Sequence, residues 1–145
     1  AASLADRREW LRSLVALLRV RARTVEDLAR QARPYLTDEL AFDDDAVAKH
    51  WGRKPDEVAD RLRRLRDTLG AVDPWEEQPL EDALRGLGEA LGVGAGKLIH
   101  PLRVALTGQA ASPGIFEVLV LLGRERSLAR IDDAIPRIRA MAGVG

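Results

Sequence analysis

Residues 97–135 read KLIHPLRVALTGQAASPGIFEVLVLLGRERSLARIDDAI. An apolar run from Lys97 through Leu106 has helical rather than alternating periodicity. Gly108 to Ala111 breaks it as a loop. Ser112 and Pro113 then read as a cap and first-turn pair for a helix that ends at Gly123. A last helix runs from about Glu125 toward Ile135, where Pro136 disturbs or ends it.

Working outward, the same grammar continues. Leu11, Leu14, Val15, Leu17 and Leu18 line one face of a helix over Asp6 to about Val20. Thr24 caps the next, with Asp27 three residues on in a variant capping box; Val25, Leu28 and Ala32 are its apolar side and Pro34 bounds it. Asp43 to Asp45 start a short helix toward Trp51 and read as a solvated cap, with metal binding the alternative. Pro55 opens a helix through Val58, Leu62, Leu65 and Leu69 that Gly70 can end. A further helix spans Leu80 to Leu91, with Gly92 as its stop. The stretch AVDPWEEQP, with two prolines and an Asp-Pro turn, is the best linker candidate. No βαβ alternation occurs. The expected fold is all-α, six to eight short helices in two packed subdomains, residues 1–75 and 76–145.

Composition narrows the function. The 145 residues are 46% hydrophobic and only 4% aromatic, which suits helices packed through Leu, Val, Ile and Ala. Cysteine is absent, excluding disulfides, thiolate nucleophiles and cysteine zinc sites. The N-terminal apolar stretch is interrupted by charges and reads as neither signal peptide nor membrane span, so the expected location is cytoplasmic. Net charge is +0, but it is unevenly spread. Residues 1–33 carry eight basic and four acidic side chains, 34–60 three and eight, 61–96 five and seven, and 97–145 seven and four. Both ends are basic and the middle acidic, so the ends could form a local positive surface. Lys49, Lys54 and Lys97 are the only lysines; the arginine excess reads as codon bias, so only particular arginines carry weight.

Catalytic machinery is missing. His50 and His100 are the only histidines, and no HExxH, GxSxG or GxxxxGK[ST] occurs. GLGEALGVGAG ends a helix rather than following a strand and reads as a flexible link. Asp132 and Asp133 project in different directions on a helix and form no acid/base dyad. His50 beside Trp51 reads as a helix-end packing pair, with stacking on RNA the alternative. No catalytic, metal or cofactor residue is expected.

The order HPLR (100–103), ALTG (105–108), Pro-Gly (113–114), LLG (121–123) and RERSLARI (124–131) resembles the C-terminal signature of bacterial glutamyl-tRNA synthetases. LLRVRARTVEDLARQARPYLTDELAFDD is similar to the family's upstream helical segment, with its Arg-Ala-basic-Thr motif at 21–24. Between Lys49 and Leu91 only the helical style agrees. HIGH-like and KMSKS-like motifs are absent, so ATP and Mg would belong to a catalytic domain outside these residues. The abrupt Ala-Ala-Ser start reads as a piece of a longer chain.

The resemblance implies an α-helix cage that grips the anticodon loop of a glutamate-type tRNA, alongside the rest of the synthetase polypeptide and as a monomer. Arg103 would be the basic contact in the anticodon pocket, with ion pairing to an acidic helix the alternative. Ser112, Pro113, Gly114 and Ile115 would form the turn whose backbone and hydroxyl face the bases, with a plain helix cap the alternative. Arg21 or Arg23, in competition with Arg19, would match the arginine that selects the final anticodon base. Leu119, Val120, Leu121 and Leu122 are expected in the core. Against this stands a non-catalytic protein-interaction or scaffold domain, which the zero net charge and acidic middle leave open.

Overall fold

Ser3 starts the first helix through a complete capping box: its hydroxyl accepts from the Asp6 amide at 3.1 Å and the Asp6 carboxylate accepts from the Ser3 amide at 3.4 Å. The computed structural model describes residues 3–143, which form eight α-helices and no strand. They divide into two compact units, residues 1–40 and 41–145.

The first unit is the pair α1 (Leu4–Arg19) and α2 (Val25–Leu36). Thr24 caps α2 by accepting from the Asp27 amide at 3.0 Å, while Asp27 reaches back to the Arg23 amide at 3.3 Å. Leu14 and Leu18 are buried, as are Ala32 and Tyr35. Leu11 and Val15, expected on the same buried face, stay 44% and 42% exposed. The apolar stripe on α1 is wider than its buried part. Pro34 does not bound α2 but lies inside its last turn: its ring is buried, and the carbonyl it leaves unpaired, that of Arg30, belongs to an exposed residue.

The second unit holds α3 (Asp44–His50), α4 (Pro55–Gly70), α5 (Glu77–Leu91), α6 (Gly96–Thr107), α7 (Ile115–Leu122) and α8 (Arg124–Ala142). Its most extensive packing is α4 on α8, with α5, α6 and α7 also joined to this pair. Leu62, Leu65 and Leu69 from α4, Leu98, Leu102 and Leu106 from α6, and Ile131, Ala134 and Ile138 from α8 are buried. Arg66 donates to both oxygens of Asp132 at 3.0 and 3.3 Å, and Arg139 meets Asp60 at 3.0 Å, bracketing the α4–α8 contact.

Like Pro34, two further proline features do not act as their local sequence suggests. Pro136 does not end α8, which continues to Ala142. The carbonyl its ring leaves unpaired, that of Asp132, belongs to an exposed residue, and Ile138 beyond it is buried in the core. The segment between Pro74 and Pro79 does not divide the chain. Trp75 Nε1 donates to the Leu119 carbonyl at 2.8 Å, Val72 is buried, and the guanidinium of Arg124 lies 5.4 Å from the Trp75 ring centre while donating to the Val72 carbonyl. The helices on either side, α4 and α5, pack together in one unit. The boundary between compact units therefore falls after Leu40 rather than at 75/76.

Candidate nucleic-acid interface

The segment that decides the site is the passage from α6 to α7. Leu98, Leu102, Ala105 and Leu106 turn one face of α6 inward, which leaves Arg103 half-buried at the rim. Its Nε donates to the Ser112 hydroxyl at 2.8 Å, and that hydroxyl donates onward to the Pro113 carbonyl at 2.7 Å. Ser112 is therefore not the helix cap expected for it: α7 begins at Ile115 with Gly114 as N-cap. Pro113 and Ile115 are buried and anchor the turn, while Gly114 is exposed. Gly114 has φ −51 and ψ 139, a conformation open to any residue, and a Cβ there would meet the Glu117 carboxylate at 2.8 Å. No side-chain hydrogen bond caps α7, so the first amides of this helix, which starts three residues after Ser112, keep donor capacity.

Two residues read from the sequence only as part of the ALTG signature and the loop, Thr107 and Gly108, hold this turn in place. The Thr107 hydroxyl, almost fully buried, donates to the Arg103 carbonyl at 2.8 Å and accepts from the Gln109 amide at 3.2 Å. It joins the end of α6 to the loop. Gly108 has φ +76, and a Cβ on it would lie 2.2 Å from the Ala41 carbonyl oxygen. Its own carbonyl accepts from the Asp43 amide at 2.8 Å. The ALTG tetrapeptide thus lets two backbone segments meet. Beside them opens a recess of about 540 Å³, lined by Ala41, Phe42, Asp43, Gln109, Ala110 and Ala111. Arg130 is a third residue whose role the sequence reading missed. It is buried in α8 and donates to the Leu106 carbonyl at 2.7 Å, a cation at the C-terminus of α6. Arginine at a core-facing helical position, next to Ile131 and one turn from Ala134, was the available signal.

Trp51 is buried and donates from Nε1 to the Pro101 carbonyl at 3.2 Å, with Phe42 5.3 Å from its ring. His50 packs elsewhere: its ring stacks on His100 with centroids 5.2 Å apart and planes 18° off parallel. Partial burial and then the neighbouring charges of His100, Lys49, Arg103 and Arg53 push His50 below the ordinary histidine value.

Arg21 and Arg23 lie in the first unit, exposed on the turn between α1 and α2. The Arg21 amide donates to the Leu18 carbonyl at 3.0 Å and the Arg23 amide to Asp27, so the backbone is held while both side chains project from it. Arg19 is exposed in the last turn of α1. Among the expected residues, the structure unites Arg103 with Ser112, Pro113, Gly114 and Ile115 in the second unit; Arg21 and Arg23 form a basic turn of the first unit.

A family model described as an anticodon binding domain matches residues 1–135. The glutamate–tRNA ligase of Myxococcus xanthus (strain DK1622) is 43% identical over 128 residues, covering 88% of this chain and 26% of that protein. That of Moorella thermoacetica (strain ATCC 39073 / JCM 9320) is 36% identical over 130 residues, covering 90% and 26%. The crystal structure of a glutamate tRNA ligase from Elizabethkingia meningosepticum, in complex with its amino acid, matches with a TM-score of 0.79 at 26% identity, over 94% of this chain and 26% of that one. The chain thus spans about a quarter of the length of the relatives it matches.

Proposed function

Because the chain belongs to the anticodon binding domain family, we propose that it recognises the anticodon loop of a glutamate-type tRNA as part of a glutamate–tRNA ligase. The ligation chemistry, with its ATP and Mg, belongs in this reading to the remaining three-quarters of such an enzyme. The observation that carries the reading is the Arg103–Ser112 pair set against the uncapped start of α7.

Loop bases can be splayed out of the stack and read along their hydrogen-bonding edges, which demands donors and acceptors held in fixed directions. Arg103 is held by Ser112, and Ser112 by the Pro113 carbonyl, so neither must be ordered when RNA arrives. The first amides of α7 supply backbone donors, and the exposed Gly114 leaves the main chain uncovered beside them. The loop 109–112 carries no charge, which suits contact with base edges, while phosphates are left to basic residues elsewhere. Arg21 and Arg23 supply a second basic element, assigned to the last anticodon base. The unit acts as a monomer within its polypeptide and in the cytoplasm.

The test is a titration of the protein with a glutamate-tRNA transcript and with anticodon stem-loops substituted one base at a time. Arg103→Ala should weaken binding by about 1–3 kcal/mol and relax choice at one position, and Arg21→Ala should do so at another. Equal binding by both variants, or indifference of the wild type to loop sequence, would overturn the assignment and favour a protein-interaction domain.

A further inference from the structure

Within the second unit, away from the Ser112 turn, α3, α4 and α6 enclose a cleft of about 660 Å³. The chain has three lysines, and all three line it: Lys49, Lys54 and Lys97. Arg53 and Arg61 join them, with the His50–His100 stack between. Against five Lys and Arg side chains the lining holds one carboxylate, Glu57, which lies 3.8 Å from Arg61 and 4.0 Å from Lys54. Among the described residues, no carboxylate lies within 4.0 Å of Lys49, Arg53 or Lys97. In a chain of zero net charge this is a concentrated, unneutralised positive surface.

The cleft is also linked to the site already described. Lys97, His100 and Arg103 recur every three residues along α6, so each neighbours the next on the helix surface, with Lys97 and Arg103 about 120° apart around it. At 1.5 Å per residue, Lys97 and Arg103 lie about 9 Å apart along its axis. The charges of His100 and Arg103 are among the causes that lower the His50 pKa, which reflects the same proximity. The first turns of α4 and α6 border the cleft at Lys54 and Lys97, and neither helix has a side-chain cap.

We propose that this lysine-lined cleft is a second RNA contact, which takes backbone phosphates of the strand whose bases meet Arg103. It rests on the anticodon-loop reading above and adds to it a phosphate track along α6. Lysine serves here as a compact charge on phosphate, not as a base reader, so the contact contributes affinity without sequence choice.

The test measures stem-loop binding by the 145-residue chain at several salt concentrations, for wild type, Arg103→Ala and a Lys49→Ala/Arg53→Ala/Lys97→Ala triple variant. All three substituted side chains of the triple variant are exposed. The expected result is about a tenfold loss of affinity shared by every loop sequence. The slope of log K against log salt should become shallower by about 2, near 0.7 for each lost single-strand phosphate contact. Discrimination between loops should persist in the triple variant and fall in Arg103→Ala. If the triple variant melts below the assay temperature, Lys97→Gln is measured instead and should change the slope by about 0.7. An unchanged slope in a wild type that does bind RNA would overturn the cleft alone; no RNA binding by the wild type would overturn the anticodon reading and the cleft with it. With only two histidines, the His50 and His100 ring protons are readily assigned by nuclear magnetic resonance. If inorganic phosphate or a mononucleotide shifts them while stem-loops do not, the cleft serves a small phosphorylated molecule and the RNA assignment fails.

Discussion

Replacing Gly108 with alanine tests how the site is held. The residue sits at φ +76, where a side chain costs about 1–2 kcal/mol relative to glycine. The new Cβ would also lie 2.2 Å from the Ala41 carbonyl oxygen, so the two segments must part by roughly 1 Å. That movement stretches or breaks the 2.8 Å bond from the Asp43 amide to the Gly108 carbonyl, for a further 1 kcal/mol or so. The total is about 2–3 kcal/mol. Gly92 is the control. It has φ +69, ends α5, and would place its Cβ with no atom within 4 Å. Gly92→Ala should therefore show only the backbone term, about 1–2 kcal/mol. At about 4 °C per kcal/mol for a unit near 100 residues, Gly108→Ala should melt roughly 8–12 °C lower and Gly92→Ala roughly 4–8 °C lower. Thermal and urea unfolding followed by circular dichroism measure both, and the Asp43 amide should lose hydrogen-exchange protection in the first variant only. Equal destabilisation of the two would refute the close approach of Gly108 to Ala41 as the structural purpose of that glycine.

Leu119→Ala empties a fully buried position in α7 and should lower stability by about 2–5 kcal/mol in urea titrations, while folded protein still binds RNA at low temperature. Arg130→Met leaves the Leu106 carbonyl without its charged donor at the end of α6; a loss of about 2 kcal/mol is expected, and a neutral result would remove Arg130 as a cap. His50 is held below the ordinary value of 6.5 in the folded protein, so the unfolded chain binds more protons. Its contribution is present above pH 6.5 and is lost as the pH falls below 6.5 toward the lowered folded value. His50→Gln should flatten that limb of the stability–pH curve, and an unchanged curve would locate the acid sensitivity elsewhere.

Thr24 and Asp43 were legible as helix starts because each accepts from an amide three residues on, an interaction written in local sequence. Ser3 does the same for α1, whose start the sequence reading places later, at Asp6. Proline misled because its local effect is only half of the balance. Pro136 weakens α8, yet Ala134 and Ile138 on either side of it are fully buried in the unit that α4 and α8 build. Pro74 and Pro79 suggest a linker, but Trp75 and Arg124 pin that stretch to residues 44 and 52 positions away in sequence. Likewise Ser112 before Pro113 has the local form of a cap, and only the approach of Arg103, nine residues back, gives its hydroxyl a different partner.

Sequence alone determined the helical class, the absence of known catalytic motifs and the family signature from Lys97 to Ile135, because periodicity, capping and motif order are properties of neighbouring residues. Only the tertiary structure decided that the compact units divide after Leu40, that Gly108 exists to meet Ala41, and that three lysines spread over 49 positions line one cleft. Those facts depend on which distant segments come together, and that is settled by the burial of side chains across helices, a quantity no local pattern contains.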